Sequence, residues 1–155
     1  MTRTSFLAAA ALVAAAIQPA AAQSGTHPLV GQWRVQCAGP FVTDGQQAPA
    51  TTEALLTITQ HGDQLVATLK TPSARTAAEA TTHKLRGVVV GDSAQFTYTV
   101  PVRVDAGHRR TLRESEVRWV IAVHGDALEG SQLRVLRKTA EVLAPTPISG
   151  TRVGS

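Results

Sequence analysis

The chain has almost none of the cysteine that stabilises many small domains. Cys37 is the one cysteine among 155 residues, so an internal disulfide is excluded and the core must be held by packing. Two interpretations of Cys37 are open: a reactive or intermolecular thiol, and a small buried apolar side chain on the first strand. The second is favoured, because nothing in the neighbouring sequence would lower the pKa of the thiol.

Several other signals are scarce or missing. Aromatic residues make up 4% of the chain, which argues against a generous aromatic pocket. Beyond the first two dozen residues, no apolar run reaches the ~18 residues that a membrane helix needs, and no helical period is sustained. The sequence has no glycine-rich phosphate loop, no serine-hydrolase elbow and no zinc-type histidine spacing. We therefore expect no cofactor, no metal and no catalytic residues.

The beginning of the chain has the three parts of a secretory signal peptide. Arg3 supplies positive charge, and Phe6–Ile17 is an apolar run of about 12 residues, too short to span a bilayer. Ala20 and Ala22 are small residues at the −3 and −1 positions, which predicts cleavage between Ala22 and Gln23. The alternative, an uncleaved anchor or a buried helix, lacks a stop-transfer pattern. We expect a periplasmic or secreted protein.

The charge of the remaining chain narrows the class of partner. Without residues 1–22 the chain has 133 residues, enough for one domain, and a formal charge of +3 instead of +4, because only Arg3 is lost. So weak a positive charge does not favour nucleic acid or a membrane surface. The densest basic patch is His108, Arg109, Arg110, Arg113 and Arg118. It suits an anionic polymer or a partner carboxylate, but a run of this kind is more often a solvated loop.

Alternation of apolar and polar residues predicts seven strands. They are Leu29–Cys37, Glu53–Gln60, Gln64–Lys70, His83–Val90, Ala94–Val102, Arg113–Val123 and Ala127–Lys138. Turns at 61–63, 91–93 and 124–126 join them into hairpins, because glycine supplies the positive φ that tight turns need. Residues 38–52 and 103–112 are predicted as loops. Residues 71–82 are ambiguous between a loop and a helical turn.

This order of strands predicts an all-β fold. We expect an antiparallel meander of seven or eight strands that closes into a calycin-like barrel, since closure removes exposed strand edges. The barrel is placed at residues 23–138, after the signal peptide. Residues 139–155 are rich in Pro, Gly, Ser and Thr, and are predicted to form a flexible tail that can hold one short strand.

The tripeptide Gly31-Gln32-Trp33, on the first strand of a small meander, resembles the opening of calycin-type barrels such as lipocalins and avidins. It is also similar to the opening of bacterial metalloprotease-inhibitor barrels. The resemblance implies that Trp33 packs at the closed end, under a basic residue of the last strand, for which Arg134 and Arg137 are candidates. The lipocalin helix and the disulfide of the inhibitors have no counterpart here. The likeness therefore concerns the fold more than an activity.

Four aromatic residues are predicted to point into the barrel: Trp33, Phe96, Tyr98 and Trp119. They are the candidate ligand-binding residues if the interior is open, since eight-stranded barrels either hold one small ligand or are filled by side chains. The low aromatic content favours a filled interior.

Three functions remain open. The leading interpretation is a non-catalytic exported barrel that binds a small apolar ligand or a protein partner. One alternative is an enzyme whose site joins two His-Gly-Asp turns, His61–Asp63 and His124–Asp126, at one end of the barrel. The other is an inhibitor-type module that acts through a loop or through an N-terminus at Gln23.

Overall fold

The regular structure of the described residues is entirely β-strand. This computed structural model describes residues 25–39, 41–43, 46–47, 51–72 and 79–154, so the predicted signal peptide, residues 1–22, lies outside the description. The strands are β1 Gly31–Ala38, β2 Phe41–Thr43, β3 Gln46–Gln47, β4 Thr51–His61, β5 Gln64–Pro72, β6 Ala80–Val90, β7 Ser93–Ala106, β8 Arg109–His124, β9 Ala127–Leu136 and β10 Glu141–Arg152. The described part of the chain contains no helix long and apolar enough to cross a membrane.

Eight of these strands form a closed barrel. The order around the barrel is β1, β4, β5, β6, β7, β8, β9 and β10, and each strand runs antiparallel to its neighbours. The last strand returns to the first, with Trp33 opposite Arg152. The predicted all-β antiparallel meander, closed into a barrel, is confirmed, and it is compatible with a calycin-like fold.

Inward-facing side chains form the core of the barrel. Along β7, every second residue from Ala94 to Val104 is buried, and most of the residues between them are exposed. The largest fully buried side chains are Trp33, Trp119, Phe96, Leu29, Leu56, Ile58, Leu65, Leu69, Leu85, Ile121, Leu128 and Leu136. Since burial of each large apolar side chain contributes roughly 1.5–3 kcal/mol, a core of this size explains how the domain forms without a disulfide.

Two kinds of glycine support this arrangement. Gly62 and Gly125 have φ of 62° and 65° in the two His-Gly-Asp turns, a conformation that other residues rarely adopt. Gly87 faces Phe96 across β6 and β7, and a Cβ atom at Gly87 would overlap the Phe96 ring. A side chain at position 87 therefore competes directly with the aromatic core.

The C-terminal segment differs most from the sequence prediction. Residues 141–152 are strand β10, which closes the barrel, rather than part of a flexible tail. Proline obscured this strand in the sequence, because proline cannot donate to a sheet ladder and is found at edges or bulges. Pro145 lies at the irregularity between Leu143 and Thr146, and Pro147 lies where β9 is the paired neighbour of β10, before its pairing with β1 begins at Ser149.

Two predicted loops and one ambiguous segment also contain strand. Residues 103–112, predicted as a loop, are the end of a long hairpin in which β7 and β8 pair as far as Ala106 and Arg109. Residues 38–52 include the short strands β2 and β3. In the ambiguous segment 71–82, β5 extends to Pro72 and β6 begins at Ala80. In the first case the apolar alternation was weak because the hairpin extends beyond the barrel wall.

The barrel has two ends of different construction. The Trp33 end holds residues 25–30, the β4–β5, β6–β7 and β8–β9 turns, and the end of β10. The opposite end, named here the Tyr98 end, is crossed by the β1–β4 connection. β2 of that connection pairs in parallel with β7, which is four strands from β1 in either direction around the barrel. The chain therefore passes over this end from one wall to the opposite one.

Candidate functional site

The four predicted ligand-binding residues have different surroundings in the described part of the barrel. Trp33, Phe96 and Trp119 are fully buried in the core, while Tyr98 lies at the edge of a small crevice. The Tyr98 and Trp119 rings meet edge to face, with centroids 6.2 Å apart. Trp33 belongs to the other end of the barrel. Three of the four aromatic side chains therefore act as packing within the described barrel.

Trp33 closes its end of the barrel together with residues that precede it. The Trp33 indole N–H donates to the Leu29 carbonyl at 2.9 Å, and Leu29 itself is fully buried. The Arg152 guanidinium lies 4.1 Å from the centre of the Trp33 ring. It also donates to the carbonyl oxygens of Val30 at 3.0 Å and Pro28 at 2.9 Å. This end is a closed structural assembly.

The identity of the covering residue corrects a prediction. A basic residue of the last strand does cover Trp33, as the resemblance implied, but it is Arg152 rather than Arg134 or Arg137. The reason is that the last strand is β10, which the sequence prediction had assigned to the tail. Arg134 lies inside the barrel near the Tyr98 end, and Arg137 forms an exposed ion pair with Glu114 at 3.7 Å.

The two His-Gly-Asp turns lie at the same end of the barrel but are not brought together. They join β4 to β5 and β8 to β9, and in the strand order β1 and β10 separate them on one side and β6 and β7 on the other. Asp126 instead pairs with Arg152 at 3.4 Å. Among the described residues, no three His, Cys, Asp or Glu side chains are grouped so that they could hold a metal ion.

The crevice at the Tyr98 end lies where β6 and β7 separate. The two strands pair from Arg86 opposite Thr97 to Val90 opposite Ser93, and residues 80–85 of β6 pair with β5 on the other side. The crevice has a volume of about 10 Å³, which is roughly the space that one water molecule needs. Its lining is Cys37, Ala38, Gly39, Thr52, Thr71, His83, Tyr98, Val100 and Arg134.

Polar side chains of β9 hold the start of the β1–β4 connection from inside the barrel. The Arg134 guanidinium donates from Nη1 to the Gly39 carbonyl at 3.0 Å. The Gln132 amide donates to the Ala38 carbonyl at 3.5 Å and accepts from the Trp119 indole N–H at 3.1 Å. Sequence reasoning missed this network. The available signal was that Gln132 and Arg134 lie on the same face of the strand as Leu128 and Leu136, which are buried.

Burial sets the protonation of the groups around the crevice. Desolvation raises the pKa of the Cys37 thiol from 9.0 to about 11, against a smaller lowering by Arg134. Desolvation also raises the pKa of Tyr98, and lowers the pKa of Arg134. Because arginine remains charged even so, the crevice at neutral pH has one cation beside a neutral thiol and a neutral phenol. Cys37 is buried, as the interpretation of a small packed side chain predicted.

His83 completes the polar rim of the crevice. Its Nε2 lies 3.2 Å from the Thr71 hydroxyl oxygen, and its ring centroid is 5.7 Å from that of Tyr98. Partial burial lowers the pKa of His83, so the imidazole is mostly neutral at pH 7. The rim therefore adds hydrogen-bonding capacity without adding charge.

The predicted basic patch is divided between two places. Arg118 lies on the barrel wall, where its Nε donates to Glu116 at 2.8 Å. The other residues of the patch belong to the end of the β7–β8 hairpin, where Asp105 pairs with Arg103 at 3.7 Å and with Arg110 at 3.9 Å. An open groove of about 520 Å³ at the hairpin tip is lined by Asp105, Gly107, His108 and Arg110.

Comparison with known proteins identified no relative of this chain. No family model matches the chain, and neither a curated protein nor a solved structure matches it. The function must therefore be argued from the barrel, the crevice and the hairpin themselves.

Proposed function

We propose that the chain is an exported, non-catalytic binding protein that contacts an acidic protein partner through the end of its β7–β8 hairpin. Export is proposed from the signal-peptide pattern of residues 1–22. The observation that carries the choice of partner is the complete burial of Trp33, Phe96 and Trp119 in the described core, which favours the outer surface as the place for recognition.

The described part of the barrel interior argues against an interior ligand site. Pockets for small organic ligands usually enclose ~300–1,000 Å³, whereas the crevice at Tyr98 has about 10 Å³. Trp33, Phe96 and Trp119 occupy the space that such a ligand would need. A packed barrel is, in contrast, a suitable rigid support for a recognition loop.

The hairpin provides a surface of the right character. Residues 101–114 include four arginines and two acidic residues, so the surface is cationic at neutral pH. Packing of Val102 and Val104 against Leu136 and Leu143 supports the hairpin from beneath. The supported hairpin can therefore present its charges in a fixed arrangement.

The mixture of charge and apolar surface favours a protein over an anionic polymer. Leu112 is 51% exposed and lies opposite Arg103, within two residues of Arg110. Arginine beside exposed apolar side chains is typical of protein interfaces, whereas polymer binding depends mainly on positive charge. Complementary acidic groups on the partner would speed association and fix its orientation.

Site-specific photo-crosslinking in the native host tests this proposal. A photoreactive amino acid at Leu112 should yield one dominant protein adduct, while the same group at Val88, 66% exposed at the opposite end, should not. The pair of substitutions Arg109→Glu and Arg110→Glu should lower the yield at Leu112 by about tenfold or more. The matched control, Lys84→Glu with Arg86→Glu, changes the same charge on β6 and should leave the yield unchanged. Equal adducts at both positions, or no effect of the hairpin charges, would reject the proposal.

A further inference from the structure

The outer half of the β7–β8 hairpin has an open strand edge. β8 pairs with β7 from Arg109 to Ala122, but its pairing with β9 begins only at Ser115, opposite Leu136. Among the described residues, the stretch 109–114 therefore has a paired strand on one side alone. Every residue of this stretch is exposed or half-buried, so its second side is accessible. An open edge presents backbone donors and acceptors with which another strand can pair.

The hydrogen bonding of Glu114 shows which backbone groups face the open edge. The Glu114 carbonyl accepts the Arg137 N–H at 3.1 Å, on the side where β9 ends and away from β7. Pro101, which lies opposite Glu114 on β7, has no N–H to donate, in agreement with this orientation. Backbone groups of alternate residues in a strand point to the same side. The N–H and carbonyl groups of Arg110 and Leu112 therefore point to the open edge.

The side chains along this edge determine what kind of strand would fit. Arg109 and Arg113 lie on one face of β8, and Arg110 and Leu112 lie on the other. Arg110 is 3.9 Å from Asp105, whereas Arg109 and Arg113 form no ion pair within the described residues. Opposite charges on neighbouring strands stabilise a sheet. A strand with acidic side chains beside the arginines, and an apolar side chain beside Leu112, would therefore complement both faces.

A second copy of this chain does not meet that requirement. Pairing of two β8 edges would bring arginines opposite arginines, and like charges directly opposite each other destabilise a sheet. Charged residues at an edge commonly prevent such pairing. Protection of the edge does not explain Leu112, however, which is 51% exposed in the same stretch. The edge therefore disfavours its own copy and suits a strand of opposite charge.

We propose that the acidic partner contributes an extended segment that pairs with residues 109–114 of β8 as an added strand. This inference rests on the hairpin surface proposed above and specifies how the partner is held there. Backbone hydrogen bonds to Arg110 and Leu112 would position the segment, and carboxylates beside the arginines would select its sequence. The added strand would continue the sheet where β9 ends at Leu136.

Proline at position 110 separates backbone pairing from charge. Arg110→Pro removes the charge and the outward N–H, whereas the matched variant Arg110→Ala removes the charge alone. With the photoreactive amino acid at Leu112 in the native host, the adduct yield of Arg110→Pro should be about fivefold or more below that of Arg110→Ala, as expected for the loss of one hydrogen bond. Both variants should unfold at similar temperatures, because proline is tolerated where its N–H would not serve the sheet.

The outcomes distinguish this inference from the proposal on which it rests. Equal adduct yields from Arg110→Pro and Arg110→Ala would overturn the added strand and leave the hairpin surface as the site of contact. Absence of any protein adduct at Leu112 in the otherwise unsubstituted chain would reject the hairpin surface and the added strand together.

Peptide mapping of the adduct gives a readout that does not depend on the proline variant. Mass spectrometry of the digested adduct should place the crosslink in a partner segment with at least two acidic residues within about five positions of the attached residue. A crosslinked segment without acidic residues, or an adduct between two copies of this chain, would overturn the proposal.

Discussion

Each end of the barrel contains an inward-pointing arginine, and the two are held differently. At the Trp33 end, Arg152 lies over the indole ring, donates to two carbonyl oxygens and pairs with Asp126. At the Tyr98 end, Arg134 donates to the Gly39 carbonyl and lines a crevice beside a neutral thiol and a neutral phenol. The first arrangement uses the guanidinium for structure. The second places the guanidinium in the barrel interior, where it holds the start of the β1–β4 connection.

The largest predicted effect comes from removing the aromatic ring at the structural end. Trp33→Ala should cost about 3–5 kcal/mol of unfolding free energy, because it removes a fully buried side chain and leaves Arg152 without its ring. Urea unfolding followed by circular dichroism measures the change. Val142→Ala, at a position 60% exposed, is the control and should change the free energy by no more than about 0.5 kcal/mol. A small effect at Trp33 would show that this end is not structural.

Substitution of the two arginines by methionine compares the ends directly. Arg152→Met should cost about 2–3 kcal/mol, since two charge-assisted hydrogen bonds and the contact with Trp33 are lost. Arg134→Met should cost less, about 1 kcal/mol or below, because the desolvation of a buried charge offsets most of its interactions. Denaturant unfolding of both variants in the same salt gives the comparison. Equal losses would remove the distinction between the ends.

High pH should destabilise the Tyr98 end through Cys37. Its pKa rises from 9.0 to about 11 on folding, so the folded state binds the proton more tightly. Ionisation of the thiol therefore leaves the free energy of unfolding unchanged below pH 9. The free energy then decreases as the pH rises towards 11, by about 2 kcal/mol at pH 11. Cys37→Ala should remove this part of the loss, while the part due to Tyr98 remains at higher pH. Unfolding curves at pH 8, 9.5 and 11 measure it. If the free energy of unfolding decreased in parallel with pH in the wild-type protein and in Cys37→Ala, the result would contradict this role of Cys37.

The smallest predicted effect concerns the ion pair at the Trp33 end. Asp126→Asn should cost only about 0.5 kcal/mol, since the Asp126 side chain is 89% exposed and solvent screens its charge. The same thermal or urea unfolding assay detects it, with and without added salt. A loss as large as that of Arg152→Met would mean that the carboxylate, rather than the carbonyl oxygens, holds the arginine.

Alternation of residue types predicted most of the barrel but little of the crevice. The pattern of Leu56 and Ile58, or of Phe96 and Tyr98, determines which face of a strand is buried, and the structure follows it. Strand β10 was missed because Pro145 and Pro147 argue against a strand in the sequence. In the structure they lie where the ladder does not need a backbone N–H donor. The Gly-x-Trp resemblance indicated a covering basic residue, but not which one, because that depends on the register of β10.

The crevice was not predicted because it depends on pairing across long sequence distances. Arg134 reaches Gly39, 95 residues earlier, and the space beside them exists because β6 and β7 separate. Neither feature follows from local periodicity. An arginine in the buried phase of β9 was the one local sign, since charged residues at such positions need a specific partner.

Native mass spectrometry of the protein isolated from its own host tests the central claim most directly, namely that the barrel is filled and that recognition takes place outside it. We predict the mass of a polypeptide that begins at Gln23, with no organic ligand retained under gentle conditions. A stoichiometric small organic molecule that survives purification would contradict the filled interior, and it would return Phe96, Tyr98 and Trp119 to the role of ligand-binding residues.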